Sequence, residues 1–407
     1  MKRLFLISST FLMLIFFPGC KKESPTEPQP AKPPGYQEDI PWPSLNDNPW
    51  PIHHGDAQFT GRSRYAGPLL GQIEWQIEIP TTYLSHDSFL SPIVGNDSTI
   101  YFISYKDTFS PGSFLYALNT DGTIKWKHPI QTPSQKNSSP PIISSDGTIY
   151  IADWGGNLTA LNKNGTVKWT KILSSAITSM MNLDKDGNLY GFATNGTLYC
   201  FAKDGSVKWA LNLDNFGSSS SAVVFSPDGE TMYISGRQLF AVSKTGELKW
   251  IYDAPGDYTW DTTPLINTQG DIFIFNGLVM IGSDGNLKNI LYGDTTLIPN
   301  NTDPTIDKSG NIYIGGSNKM VSFSYKGELR WSKPFSVSSA TSLLSDKNGN
   351  IYFFNKDNQL VSIDSLGNLN WQIQLDGVSY YSPALSDNNR MYFGTVRTTA
   401  KYFYAIR

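Results

Sequence analysis

From residue 48 onward, apolar and polar positions alternate with a period of two, as in Thr148-Ile149-Tyr150-Ile151 and Thr166-Val167-Lys168-Trp169. That spacing predicts short half-buried strands, and no stretch after residue 20 carries the three-and-four spacing of an amphipathic helix. The strands recur. A glycine precedes one strand position by four residues at Gly71/Trp75, Gly122/Trp126, Gly165/Trp169, Gly205/Trp209, Gly246/Trp250, Gly285/Asn289, Gly327/Trp331 and Gly367/Trp371. A second mark is an aromatic residue at Tyr101, Tyr150, Tyr190, Tyr233, Phe273, Tyr313, Tyr352 and Tyr392. Between the marks runs a third strand, such as Leu158-Thr159-Ala160-Leu161, and before the aromatic a fourth, such as Ala222-Val223-Val224-Phe225. Asp146-Gly147 and Asn348-Gly349 are turns between strands A and B, and Asp121-Gly122 and Asp204-Gly205 between C and D, because glycine reaches positive φ without steric cost.

A repeat of about 40 residues built from four strands predicts a radial all-β array. The two ends indicate closure. The first tryptophan strand, Gln72 to Ile77, has no A, B or C strand before it, and the last unit, ending in Tyr402 to Ile406, has no D strand after it. Joining them gives an eight-bladed β-propeller of four-stranded blades, closed by the N-terminal strand in the C-terminal blade. A single domain over residues 48–407 follows, although 407 residues alone would suggest two or three.

The first residues have a different pattern. Met1-Lys2-Arg3, an apolar run from Leu4 to Phe17 and then Gly19-Cys20 are laid out as an export signal over residues 1–20, too short for a membrane span. Cys20 at its end resembles the acylated cysteine of bacterial lipoproteins. Lys21 and Lys22 after it, in place of the aspartate that retains such proteins at the inner membrane, imply the outer membrane, facing either side. Residues 21–47 are rich in Pro, Glu, Gln and Lys and read as an extended tether. Losing Lys2 and Arg3 with the leader takes the formal charge from −3 to −5, and with no basic cluster this argues against nucleic acid.

Chemistry-bearing motifs are sparse. His53 and His54 stand before the first blade with no partner at zinc spacing, and read as part of a segment folding against the ring. Asp184-Lys185-Asp186-Gly187-Asn188, Asp307-Lys308-Ser309-Gly310-Asn311 and Asp346-Lys347-Asn348-Gly349-Asn350 look superficially like calcium loops. They lack the further oxygen ligands, the first having Asn195 at the twelfth position, and read as hairpin turns. Cys200 occupies the small-residue position of the third strand, a core position. No nucleophile elbow, zinc-protease, phosphate-loop or dinucleotide motif occurs.

The unit from Leu115 to Trp126, followed by Asp146 to Ile151, closely resembles the pyrroloquinoline-quinone (PQQ) type repeat family, and the stretch from Trp50 to Ser63 is similar to the segment that precedes its first blade. The resemblance implies tryptophans docked between blades and two functional branches. In quinoprotein dehydrogenases, PQQ lies in the axial funnel under an adjacent-cysteine disulfide and beside calcium; this chain has no adjacent cysteines and no haem-binding Cys-x-x-Cys-His. The other branch comprises lipid-anchored noncatalytic propellers, including the outer-membrane barrel-assembly lipoprotein. With no catalytic, cofactor or metal residues assigned, the expectation is a noncatalytic, monomeric scaffold that binds an envelope protein or peptide. A PQQ-dependent dehydrogenase or sensor and a glycan-binding or adhesion module are the alternatives. Binding is expected on the face made by the D–A and B–C connections, which gathers Tyr83, His86, Phe89, Phe109, Trp154, Phe216, Tyr258, Trp260, Tyr380 and Tyr381.

Overall fold

The computed structural model describes residues 32–45, 47–79, 88–105, 113–130, 139–213, 222–253, 263–274, 279–291, 302–339, 341–397 and 400–407. Eight antiparallel sheets follow one another along the chain, each with its strands in the order A, B, C, D. Blade 2 is representative, with Ile142–Ile143, Ile149–Ala152, Asn157–Leu161 and Val167–Ile172. Blade 1 carries an additional short strand, Ser88–Phe89, paired with strand Ile100–Tyr105. Blade 8 is shared between the chain ends. Strand Ile73–Glu78 pairs with Lys401–Ile406, setting Trp75 opposite Ala405 and Ile77 opposite Phe403. The ring is the eight-bladed propeller expected from the repeat.

The glycine and the tryptophan belong together because they meet across blades. Trp75 of blade 8 lies against Gly122 of blade 1, Trp126 against Gly165, Trp169 against Gly205, and so on to Trp371, which lies against Gly71 and completes the circle. A Cβ on Gly205 would come within 2.8 Å of the Trp169 ring, and Gly205 has φ +83°. Both the close approach and the left-handed backbone therefore demand glycine. Each indole N–H also donates to a carbonyl of the next blade, for example Trp126 to Lys163 at 2.8 Å and Trp169 to Lys203 at 2.9 Å. Asn289 of blade 5 lacks the ring yet keeps the bond, its Nδ2 donating to the Lys326 carbonyl at 3.1 Å. Half-buried indoles thus both cover apolar surface and satisfy a corner carbonyl.

The aspartates of the A–B turns are bound by the turns themselves. Asp184 Oδ1 accepts the Asn188 N–H at 2.8 Å, Oδ2 accepts the Asn188 side-chain amide at 2.7 Å, and the Tyr190 hydroxyl donates to Oδ2 at 3.0 Å. Asp307 with Asn311 and Tyr313, and Asp346 with Asn350 and Tyr352, repeat the arrangement. These are hairpin turns that tie strand A to the aromatic of strand B. Cys200 is buried beside Tyr190, and burial pushes its thiol pKa up.

One boundary moves. The sequence places residues 21–47 in the tether and starts the domain at 48, but the compact unit begins at Pro34. Trp42 and Leu45 are buried, and the Trp42 indole N–H donates to the Leu183 carbonyl at 2.7 Å. Proline-rich composition marked this stretch as tether; the apolar anchors Trp42 and Leu45 hold residues 34–45 on the ring.

Candidate functional site: the axis and the aromatic face

The A strand of each blade faces the propeller axis with one hydrogen-bonding edge unpaired, and buried backbone groups need partners. Residues 34–68 supply them. Trp50 and Val94 exchange backbone bonds in blade 1, and the Pro51 carbonyl accepts from Ile143 in blade 2 at 2.9 Å. The Ala57 carbonyl accepts the Phe225 N–H at 3.0 Å and the Asn182 side-chain amide at 2.9 Å. Thr60 accepts from Ile306, Gly61 from Ser345, and Tyr65 from Lys347. Gln37 Oε1 accepts the Thr268 N–H at 2.9 Å, which brings in blade 5. The segment therefore touches blades 1 to 7 and occupies the axis as a peg. Between its two arms, 37–42 and 48–64, remains a cavity of about 300 Å³ lined by Trp42, Asp56, Gln58 and Arg62 among others.

At the inner end of the peg, His53 and His54 stack with ring centroids 5.4 Å apart. Their place in a structural segment against the ring is as the sequence indicated. His53 Nδ1 lies 2.8 Å from Ser91 Oγ, and its Nε2 lies 3.5 Å from Asp303 Oδ2. Asp303 stands just before the A strand of blade 6 and is tied to both neighbours: it accepts the Thr263 N–H of blade 5 at 3.3 Å and the Ser342 hydroxyl of blade 7 at 2.9 Å. Burial raises its carboxyl pKa, but His53, His54 and Ser342 outweigh burial and hold it well below the usual carboxylate range. His54, with Nδ1 donating to the Phe59 carbonyl at 2.8 Å, has its pKa pushed down to about 4, chiefly by burial, with the Asp303 charge opposing. Sequence reading missed Asp303, although a signal existed. At its repeat position other blades carry Ser91, Thr263, Ser342 and Ser382, and Asp303 is the carboxylate among them.

The described residues at this axis fit a quinone and calcium poorly. Residues 34–68 take up the inner strand edges and leave a cavity of about 300 Å³, and the Asp303 carboxylate is engaged by His53, Ser342 and Thr263. Among the described residues no group of three His, Cys, Asp or Glu side chains is placed to hold a metal ion.

On the D–A and B–C face, Trp154 sits exposed on the tight turn from Asp153 to Gly156, where Gly156 has φ +80°. Tyr380 is exposed on the connection into blade 8, and Tyr381 is half-buried against the core of blades 1 and 2. Phe89 is a correction: it is 3% exposed and packs edge-on against Phe102 and Phe403 between blades 1 and 8, so its ring is core rather than surface. The extra strand of blade 1 turned that side chain inward, which the repeat could not announce. Tyr83, His86, Phe109, Phe216, Tyr258, Trp260 and the candidate lipidation site Cys20 lie outside the described residues.

Residues 71–184 match a family model described as PQQ_2, "Outer membrane protein assembly factor BamB". A search of curated protein sequences returns no match. Among solved structures, a europium-containing methanol dehydrogenase superposes with a TM-score of 0.66 at 13% identity, covering 86% of this chain and 90% of that one. BamB from Moraxella catarrhalis gives a TM-score of 0.60 at 15% identity, covering 82% and 100%. Quinohemoprotein alcohol dehydrogenase from Comamonas testosteroni gives 0.64 at 13% identity, covering 89% and 81%. The family match and the shared fold agree with a PQQ-like β-propeller, on which catalytic and noncatalytic proteins are both built.

Proposed function

We propose that this PQQ-like β-propeller is a noncatalytic scaffold of the bacterial envelope, acylated at Cys20 and tethered by the residues after it, which binds a protein or peptide partner on its D–A and B–C face. The observation that carries the reading is the segment that the chain itself lays on the inner strand edges of blades 1 to 7. The chain spends residues 34–68 on closing the inner strand edges where a dehydrogenase of this fold would hold its cofactor. Exposed Trp154 and Tyr380 supply rigid aromatic surface on the partner face, with Tyr381 half-buried beside Tyr380, the residue type that dominates protein interfaces. The BamB-like match supports an envelope setting.

Photo-crosslinking amino acids at positions 154 and 380, expressed in cells, are expected to capture an envelope protein. The melting temperature of the purified protein is expected to stay unchanged on adding PQQ with calcium. No captured partner, together with quinone-dependent oxidation of an alcohol or sugar, would replace this reading with the dehydrogenase.

A further inference from the structure

The repeat breaks its own rule at two adjacent corners. Just before the repeat glycine, six blades place Asp121, Asn164, Asp204, Thr245, Asp284 and Lys326, whereas blade 7 has Leu366 and blade 8 has Leu70, preceded by Leu69. In four blades this residue serves the turn, as Asp121 accepts the Thr123 N–H at 2.9 Å and Asp204 the Ser206 N–H at 2.9 Å, whereas in blades 4, 6 and 7 Ser243, Ser324 and Asp364, two residues earlier, do so. A leucine cannot do this, and these leucines do not enter the core, being 62% (Leu69), 59% (Leu70) and 61% (Leu366) exposed. Beside them lie Leu369 and Ile73, also exposed, at a position that is aliphatic in every blade. The side chains of Leu69, Leu70 and Leu366 thus give the fold neither a hydrogen bond nor burial.

The chain itself indicates what covers them. It reaches the ring on this same A–B and C–D face, at blade 6, next to blade 7: Gly35 lies against the Tyr325 ring of the C–D corner and against Gly310 of the A–B turn. The stretch from Lys21 to Pro33 reaches at most about 40 Å at roughly 3 Å per residue, so an anchor at Cys20 holds the blade 6 corner on this face within that distance of the surface that carries the anchor. We propose that the corners of blades 7 and 8 dip Leu69, Leu70 and Leu366 into the lipid bilayer, fixing the tilt of the ring and turning the D–A and B–C face away from the membrane. This rests on the lipid-anchored reading above. A few leucines inserting at the interface add buried apolar area to the lipid anchor and set the orientation of the ring rather than its residence on the membrane.

The test uses full-length protein on phosphatidylethanolamine–phosphatidylglycerol vesicles, with a single engineered cysteine carrying an environment-sensitive nitrobenzoxadiazole dye. One chain carries Leu366→Cys and the other Lys356→Cys, on the opposite turn of the same blade. Brominated acyl chains are expected to quench the dye at 366 at least twofold and to leave the dye at 356 unchanged. Adding Leu70→Asp, a residue type that other blades carry at this corner and therefore safe for folding, is expected to reduce the quenching at 366. Protein that floats with vesicles but shows equal quenching at both positions, or none at 366, overturns the lipid contact and leaves the anchor standing. Shielding at 366 that grows with protein concentration without bromine quenching assigns the corners to a second copy of the chain, and also overturns it. Protein with Cys20 intact that does not float rejects the anchor, and the contact with it.

Discussion

At the scale of single residues, the ring rests on an aromatic face meeting a bare backbone. Gly205→Ala would force a Cβ to within 2.8 Å of the Trp169 ring at φ +83°, and is expected to cost about 2–4 kcal/mol from strain and overpacking together. The urea midpoint should fall with no change in m. His54 gives a pH signature. With its pKa pushed from 6.5 to about 4 it is neutral above pH 6.5 in both folded and unfolded chains. Between 6.5 and 4 only the unfolded chain takes up the proton, so stability falls as pH drops, by up to about 3 kcal/mol, and levels off below. Asp303, held below its ordinary pKa, acts in the same direction, since its contribution is present above the ordinary carboxylate value and is lost as pH falls beneath it. Urea midpoints from pH 7 to 4.5 should show the decline. His54→Asn, which tolerates the φ of +62° found here, should make it shallower. The histidine pair was legible as a structural element because no metal spacing accompanied it. Asp303 stood out only as the carboxylate at its repeat position, since its partners come from two neighbouring blades and from the peg, and no local pattern joins them.

At the scale of elements, each outer strand is tied to its own blade by a polar side chain beside the tryptophan. Lys125 Nζ donates to Thr99 Oγ1 at 2.6 Å, Lys249 to Thr231 Oγ1 at 2.6 Å, and Lys288 pairs with Asp271. Blade 8 reverses the polarity. Its outer strand brings Glu74 and the residue just before its B strand is Arg390, joined by Nη2 to Oε1 at 2.6 Å and by Nε to Oε2, which holds the Glu74 carboxyl below its usual range. The reversal marks the seam where two distant parts of the chain must find each other. Glu74→Lys should cost about 1–2 kcal/mol, the loss of a partly exposed bidentate pair plus like-charge repulsion. Adding Arg390→Glu should restore most of it, and a double-mutant cycle showing no coupling would deny the seam its specificity. The strands, their order and the seam could be read from the period-two pattern and the unequal chain ends, because both follow from local sequence. The peg could not: residues 34–47 carry few apolar anchors among many prolines, and what holds them is the unpaired edge of strands far away in sequence. Phe89 was misplaced for a related reason, its inward turn being set by an added strand that the repeat lacks elsewhere.

At the scale of the whole molecule, eight sheets are linked by the same side-chain-to-carbonyl contact, from tryptophan in seven blades and from Asn289 in blade 5, so the circle is as strong as its one non-covalent joint. Removing residues 401–407 deletes the strand that receives Ile73–Glu78 and leaves Trp75 without its partner Ala405. The shortened protein is expected to lose cooperative unfolding and to become protease-sensitive throughout rather than only at its end, which limited proteolysis with mass spectrometry would show. The peg, too, has a consequence in time. Residues 34–68 are made before any blade exists, yet their resting place is the hub around which all the blades assemble. A newly made chain must therefore wait with its hub segment and first strand exposed until its final strand has been synthesised. Throughout that wait the nascent polypeptide is a substrate for holding chaperones, and a pause or cleavage near its last turn wastes the entire molecule.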